Sequence, residues 1–227
     1  MDFFAAVEAR RSVRKYTEKL VPADTIHKAI DAALNAPNSS NMQTWKIFWV
    51  QDKQKKAALV EACFSQGAAK TAQELVVFSV DRKEWRNSQK AILAAMGPNM
   101  PKEAHSYYTK LMPFLYARSY LAPIKWLLFN TVGLFRPMAR SPWDMRGVNE
   151  VCIKSCALAC ENFMLAISAQ GFDTCPMEGF DEHRVKKMLG LRCHERVVMV
   201  ISVGERDPKG VWGERFRRPK DSVFKII

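Results

Sequence analysis

VNEVCIKSCALACENFMLAISAQ, the stretch Val148–Gln170, decides how the rest of the chain is read. Its polar residues are Asn149, Glu150, Lys154, Ser155, Glu161, Asn162, Ser168 and Gln170, and apolar residues occur on nearly every side of the helix they share. A helix apolar almost all round is buried on most sides and forms the middle of a fold. Gly171 follows as the residue that stops it.

Working outward from this helix, Trp45–Val50, Glu74–Val80 and Arg196–Gly204 are rich in aromatic and β-branched residues and read as strands. The second is apolar enough for the middle of a sheet. Helices are expected over 2–9, with Asp2 as N-cap, and from Pro22 to Pro37, with Ile26, Ile30, Ala33 and Leu34 on one face. Further helices are expected over 53–64, 83–96, 103–120 (Pro113 near the middle) and 181–189, where Asp181 is the N-cap. Alternating strands and helices give an α/β or α+β class. With 227 residues, no repeat and no dividing linker, one domain over 1–227 is expected.

The stretch 82–147 reads as a variable helical cap. Within it Leu121 to Phe135 is strongly apolar and is flanked by Arg118, Arg136 and Arg140. A spanning helix needs about 20 apolar residues. This run is shorter and carries Lys125, so no transmembrane segment is expected. A lid over a pocket or intersubunit packing is favoured over peripheral membrane contact by 118–140.

A hydrophobic content of 48% supports a proper core, and 35 Lys+Arg against 23 Asp+Glu leave a net +12 that favours an anionic partner. The N-terminus Met1-Asp2-Phe3 lacks the basic and apolar regions of a secretory signal. A reducing, cytoplasmic setting with free thiols is therefore expected. Cys152, Cys156 and Cys160 stand at i, i+4 and i+8. On one straight helix they span about 12 Å, too far to share an ion, and they read as core packing.

Familiar catalytic patterns are missing from the sequence. There is no G-x-S-x-G elbow, no HExxH, no G-x-G-x-x-G and no P-loop. Two compact basic clusters remain, Arg10-Arg11-Ser12-Val13-Arg14-Lys15-Tyr16 and Arg215-Phe216-Arg217-Arg218-Pro219-Lys220, more than 200 residues apart. Arg forks and a Ser hydroxyl suit a phosphate, so the clusters are candidates to converge on one. Nucleic acid is not expected, because the basic residues do not interleave with exposed aromatics. Gly171–Phe180 reads as a loop whose Pro and Gly residues can aim N–H groups at a ligand.

Four stretches, in this order, resemble the flavin-dependent nitroreductase family. Arg10-Arg11-Ser12-Val13-Arg14 resembles its N-terminal phosphate motif, and Ala36-Pro37-Asn38-Ser39-Ser40-Asn41-Met42-Gln43-Thr44-Trp45 its A-P-S-S-x-N-x-Q-P-W loop. Cys175-Pro176-Met177-Glu178-Gly179-Phe180 is similar to its P-I-E-G-F loop, and Arg215-Phe216-Arg217-Arg218-Pro219 to its basic C-terminal motif. The resemblance covers about 1–80 and 148–220. It implies an α+β fold, a central, mostly antiparallel sheet flanked by helices, in an intertwined homodimer with FMN at the interface.

Carried over residue by residue, the resemblance implies that Arg10, Ser12, Arg215 and Arg217 hold the phosphate, with Arg11 also counted among the cofactor-binding residues, while Arg14 faces the pyrimidine edge of the flavin. Pro37, Asn38, Ser39 and Asn41 would come from the second subunit. Gln66, Pro176, Met177, Glu178 and Gly179 would lie beside the ring, with the Glu178 backbone N–H at N5. Lys15 is read as solvated and Tyr16 as packing. Two loop positions depart from the family pattern, Asn38 for Ser and Thr44 for Pro, and Ala68 stands where some members carry Lys. The implied activity is two-step hydride transfer from NADH or NADPH, through FMN, to a nitroaromatic, quinone or similar small electrophile. No side chain need act as acid or base. The alternatives are another flavin reaction on this fold, dehalogenation or ring or enone reduction, and a basic module for anions or membranes.

Overall fold

The computed structural model describes residues 1–117, 120, 122–138 and 141–227. Arg118, Ser119, Leu121, Ala139 and Arg140 lie outside the described residues, and with them two of the three cations expected to flank the apolar run. In chain order come α1 (Phe3–Ala9), α2 (Ala23–Leu34), β1 (Trp45–Trp49), α3 (Lys53–Ala62), α4 (Gly67–Lys70) and β2 (Glu74–Asp81). The cap holds α5 (Trp85–Met96), α6 (Lys102–Ser106), α7 (Met112–Tyr116) and α8 (Ala122–Phe135). Then follow α9 (Met145–Ala169), β3 (Asp173–Met177), α10 (Glu182–Leu189) and β4 (Glu195–Gly204). A π-helical stretch, Tyr107–Leu111, joins α6 to α7, so the helix expected over 103–120 is one interrupted rod from Lys102 that ends at Tyr116.

The strands form one antiparallel sheet in the order β1-β2-β4-β3. Period-two alternation on β2 sends Val76, Phe78 and Val80 to one face and Leu75 and Val77 to the other. The first face packs on α2 and α9, the second on α3 and α10. The fold is therefore α+β with helices on both sides of the sheet, as the sequence reading had it. A register shift between Phe78 and Ser79 lets β4 insert one extra residue, Val198, opposite β2.

Helix α9 is the core helix. Val148, Cys152, Cys156, Ala159, Cys160, Phe163, Met164 and Ile167 are buried, and Phe163 meets Phe78 edge-on at 5.5 Å. Such a ring pair contributes about 0.5–1.5 kcal/mol beyond the area it buries. The three cysteines lie in this core and, like the other three, are unpaired. Helix α9 is long and apolar enough to cross a membrane by length and composition, yet half of its most apolar window is buried within its own chain.

Two sequence expectations need correction, and one buried charge was not foreseen. Leu34 was expected on the buried face of α2 but is 50% exposed: the last turn packs on α9 through buried Ala33 and the Asn162 hydrogen bond to Ala32 O, and Leu34 falls on its flank. Residues 173–177, expected as part of a loop, are a strand: β3 is an edge, where Pro176 lacks only an N–H that an edge strand can do without. Lys125, the one charge within the apolar run, is buried. Its ammonium hydrogen-bonds the Phe114 carbonyl and lies over the Phe114 ring, and burial pushes its pKa down.

Candidate functional site

The exposed side of β3 is occupied by the first basic cluster. Val13 N–H donates to the Thr174 carbonyl at 3.0 Å, and Ser12 forms a parallel bridge with Thr174. On its other flank the same segment meets the chain after β4. Arg14 N–H donates to Gly210 O at 2.7 Å and Asp207 N–H to Lys15 O at 3.1 Å. A Cβ on Gly210 would fall 2.4 Å from Lys15 O, so the two strands approach this closely only because position 210 is glycine. Tyr16 is buried and its hydroxyl meets Ser202 Oγ at 2.8 Å, which fixes the end of the segment. Lys15 is exposed, as expected, and pairs at the surface with Asp207 at 3.0 Å.

This pairing brings the two ends of the chain together. Arg215 Nη2 donates to Glu8 O at 2.6 Å and to Arg10 O at 2.5 Å, and Arg11 Nη2 donates to Gly213 O at 3.0 Å. Arg10, Arg11, Ser12, Arg14, Arg215 and Arg217 then line one cavity of 150 Å³. Desolvation, followed by the neighbouring Arg217, Arg11 and Arg10, pulls the Arg215 guanidinium below its ordinary range. Like charges are thus crowded at a point where an anion would relieve them. Glu214 is the one carboxylate among the lining residues.

A second cavity, of 300 Å³, adjoins the first and shares Arg14 and Trp212 with it; Lys15, Gln66, Gly67, Ala68 and Lys209 complete its lining. Arg14 stacks on the Trp212 ring at 4.1 Å. Gln66 Nε2 donates to Gly179 O at 2.9 Å, which ties the start of α4 to the turn after β3. At Gly67 a Cβ would fall 2.7 Å from Arg14 O. Glu178 and Gly179 lie exposed just past the paired end of β3, whereas Pro176 is half-buried and Met177 buried. Beneath them the Cys175 thiol is pushed up by burial against the pull of Arg14 and Arg10, and stays protonated.

The remaining expected residues lie elsewhere in the chain. Ser39 N–H donates to Ser155 Oγ at 3.2 Å, near the middle of α9, whereas Ser168 Oγ, near its end, donates to Ala6 O beside the basic cluster. Thirteen residues of helix separate these anchors, about 20 Å at 1.5 Å per residue. Pro37, Asn38, Ser39 and Asn41 therefore do not share a site with Arg10 and Ser12 within one chain. Their loop is held by the cap: Tyr116 OH donates to Ser39 Oγ at 2.9 Å, and Tyr107 OH meets Ser40 Oγ at 2.5 Å. The backbone there is strained, with positive φ at Ser40, Asn41 and Gln43.

Sequence reasoning missed Trp212, Gly67, Gly210 and Arg206, whose guanidinium joins Ala9 O to Asp173. Only Trp212 gave a signal, an isolated aromatic within the basic tail.

The Nitroreductase family profile matches residues 7–205. A Thermus thermophilus protein named NADH dehydrogenase is 26% identical over 204 residues, which is 90% of this chain and 86% of that one. A Bacillus subtilis protein described as a nitroreductase superposes with a TM-score of 0.79 at 21% identity, covering 99% of this chain and 98% of its own. A structure from Exiguobacterium sibiricum, described as a nitroreductase in complex with FMN, superposes with a TM-score of 0.74 at 21% identity, covering 100% and 98%.

Proposed function

The chain belongs to the nitroreductase family, whose enzymes use FMN with NAD(P)H, and we propose that it reduces small electrophiles, nitroaromatics or quinones, in two hydride steps. The observation that carries this reading is the cavity where five arginines and Ser12 converge from opposite ends of the chain. Its size and donor set fit a phosphate monoester, and the larger cavity beyond Arg14 gives a flat ring system room to lie.

In this reading Arg10, Arg11, Ser12, Arg215 and Arg217 bind the FMN phosphate. Arg14, placed between the cavities, neutralises negative charge on the ring. FMN, when bound, accepts hydride from NADH or NADPH and passes it to the electrophile. Gln66 holds the turn 176–179 in place through Gly179, and the Glu178 backbone N–H is the donor assigned to the ring's reactive nitrogen. Met177, buried beneath that turn, backs it, and Pro176 keeps it extended.

The loop of Pro37, Asn38, Ser39 and Asn41 reaches a ring site only from a second copy of the chain, because α9 holds it about 20 Å from the cluster in its own copy. The homodimer is supported further by exposed apolar side chains on α1 (Phe3, Phe4, Val7), by Leu158 on α9, and by the tail, which ends in exposed Val223, Phe224, Ile226 and Ile227.

Titration with FMN tests the phosphate assignment. Wild-type protein is expected to bind FMN and turn yellow, and Arg10→Ala with Arg217→Ala to weaken binding by at least about tenfold through two lost charge-assisted contacts. Protein that refuses FMN, or a double variant of unchanged affinity, would overturn the reading. Anaerobic turnover with NADH and NADPH against nitroaromatic, quinone, enone and halogenated acceptors then separates reduction of nitro groups and quinones from the other flavin reactions.

A further inference from the structure

Helix α8 is amphipathic the wrong way round for a helix on a water-facing surface. At 100° per residue its inward side carries Lys125 and Phe129, 6% and 4% exposed, with Ala122, Val132 and Gly133 half-buried beside them. Lys125 is its only charged residue, and its ammonium points in, onto the Phe114 carbonyl and ring. The outward side carries Ile124, Trp126, Leu127, Leu128, Leu134 and Phe135. Leu127 is 59% exposed, Leu134 75% and Phe135 86%. A helix in contact with water places its apolar stripe inward and its charges outward. The reverse arrangement is stable where the outer medium is itself apolar.

We propose that α8 docks this protein on the surface of an anionic lipid bilayer. Charge decides between lipid and a second copy as the occupant of the face. From Ala104 to Trp143 the sequence holds, besides the inward Lys125, the cations Lys110, Arg118, Arg136 and Arg140 and no Asp or Glu. A two-fold contact that paired α8 with the α8 of a second copy would set this cationic segment against itself, with no carboxylate within it to answer the charge. An anionic headgroup layer answers it directly, each cation near the surface adding to the attraction. The chain's net +12 acts in the same direction over a longer range.

The ends of α8 fit this orientation. Tyr120, 89% exposed, precedes the helix, and exposed Arg136 follows it. A ring with a polar tip and a cation on a flexible stem are the side chains that settle at headgroup level. Fourteen residues make a helix about 21 Å long, short of the roughly 30 Å hydrocarbon layer, so it lies in one leaflet and does not cross.

The proposal does not depend on flavin chemistry, and its test reads vesicle binding, not turnover. The full chain, supplied with FMN, is sedimented with phosphatidylcholine vesicles containing about 30 mol% phosphatidylglycerol, and with pure phosphatidylcholine vesicles. Binding is expected to the first, at least about tenfold weaker to the second, and weakened by salt. Leu127→Glu with Leu134→Glu places two carboxylates on the outer face and is expected to weaken binding to the mixed vesicles by at least about tenfold, with circular dichroism and FMN binding unchanged. Three results would overturn the proposal: no wild-type binding at low salt; a double variant that binds like wild type, which puts contact on basic residues alone; or a drop in oligomeric mass in the double variant, which means a second copy covers the face.

Discussion

Arg215 lies between the two ends of the chain, and replacing it separates two roles. Its Nη2 bridges Glu8 O and Arg10 O at 2.6 and 2.5 Å, the carbonyls at and just past the end of α1. A cation there meets the negative end of a helix as well as two acceptors. Hydrogen bonds to a charged group are worth about 1.5–3 kcal/mol when desolvated. Arg215 is exposed, so screening leaves the pair about 1–2 kcal/mol, a factor of about 5–30 in how often the tail is held. Arg217 enters the cavity only while the tail is held, so that factor passes to ligand affinity.

Arg215→Lys keeps the charge but replaces the Nη2 that bridges both carbonyls with an ammonium on a shorter stem, whereas Arg215→Ala loses both charge and donor. In a flavin fluorescence titration Arg215→Lys should therefore bind FMN about 5–30-fold more weakly than wild type. Arg215→Ala should be weaker again by several-fold and show a shallower salt dependence. Trypsin should cut the free chain after Arg217 or Lys220 faster in both variants. An Arg215→Lys protein with wild-type affinity and wild-type proteolysis would refute the claim that bridging these carbonyls assembles the site.

Two further predictions follow from the geometry. Gly67→Ala puts a methyl 2.7 Å from Arg14 O, a backbone atom that cannot swing aside, so we expect a stability loss of about 1–3 kcal/mol and weaker FMN binding; unchanged melting temperature and affinity would contradict it. The buried cluster at the end of β2 gives a pH dependence. Burial lowers the His194 pKa, aided by Lys83, Arg192 and Arg82 and opposed by Asp81. For Asp81 burial acts upward, but the Lys83 N–H, His194 and Lys46 outweigh it and hold the carboxyl low. Burial likewise acts upward on Glu195 and is outweighed by Lys46 and the Arg192 N–H. Each of these groups has a folded pKa below its unfolded one, so each stabilises at higher pH and loses that contribution as pH falls. The melting temperature should hold near neutrality, begin to fall below about pH 6.5 and fall faster below about pH 4; His194→Gln should remove the first step, and a wild-type melting temperature flat from pH 7 to 5 would rule it out.

What the sequence disclosed depended on how local the controlling physics was. Strands β1, β2 and β4 and helix α9 were legible because burial on two sides leaves long apolar runs. The convergence of the two basic clusters on one cavity was legible because their Arg and Ser residues sit in two short blocks. β3 was hidden because Pro176 and the nearby glycines carry the composition of a loop, while the pairing partner that makes it a strand lies about 25 residues on. The outward turn of Leu34 and the inward turn of Lys125 depend on which face meets a neighbour, and period alone does not say which. Tyr107 and Tyr116, which hold the 38–41 loop across 67 and 77 residues, leave no local pattern at all.

Strain links the two halves of the proposed flavin site. Positive φ in residues other than glycine occurs among the described residues at Ser40, Asn41 and Gln43 and at Phe64 and Ser65. Each such residue costs of order 1 kcal/mol and persists only where its surroundings over-determine it. The determinants are visible in both places. Asn38 Oδ1 accepts from Gln43 N–H at 2.9 Å while two tyrosines hold Ser39 and Ser40 from the cap. Ser65 N–H is held by Val60 O at 2.9 Å, and the next residue, Gln66, is tied to Gly179. The first loop is the one assigned to the second copy's site, and the second delivers Gln66 to its own. Strain recurs in two loops about 25 residues apart in sequence, on different elements and with separate supports, and both carry residues assigned to the ring. At Phe64 and Ser65 the bend also closes the end of α3, with Phe64 N–H on Glu61 O and Ser65 N–H on Val60 O, and so aims Gln66 at Gly179; at Ser40 and Asn41 the bend is held by Tyr107 and Tyr116, which makes the cap part of what shapes the cofactor site proposed for the partner copy.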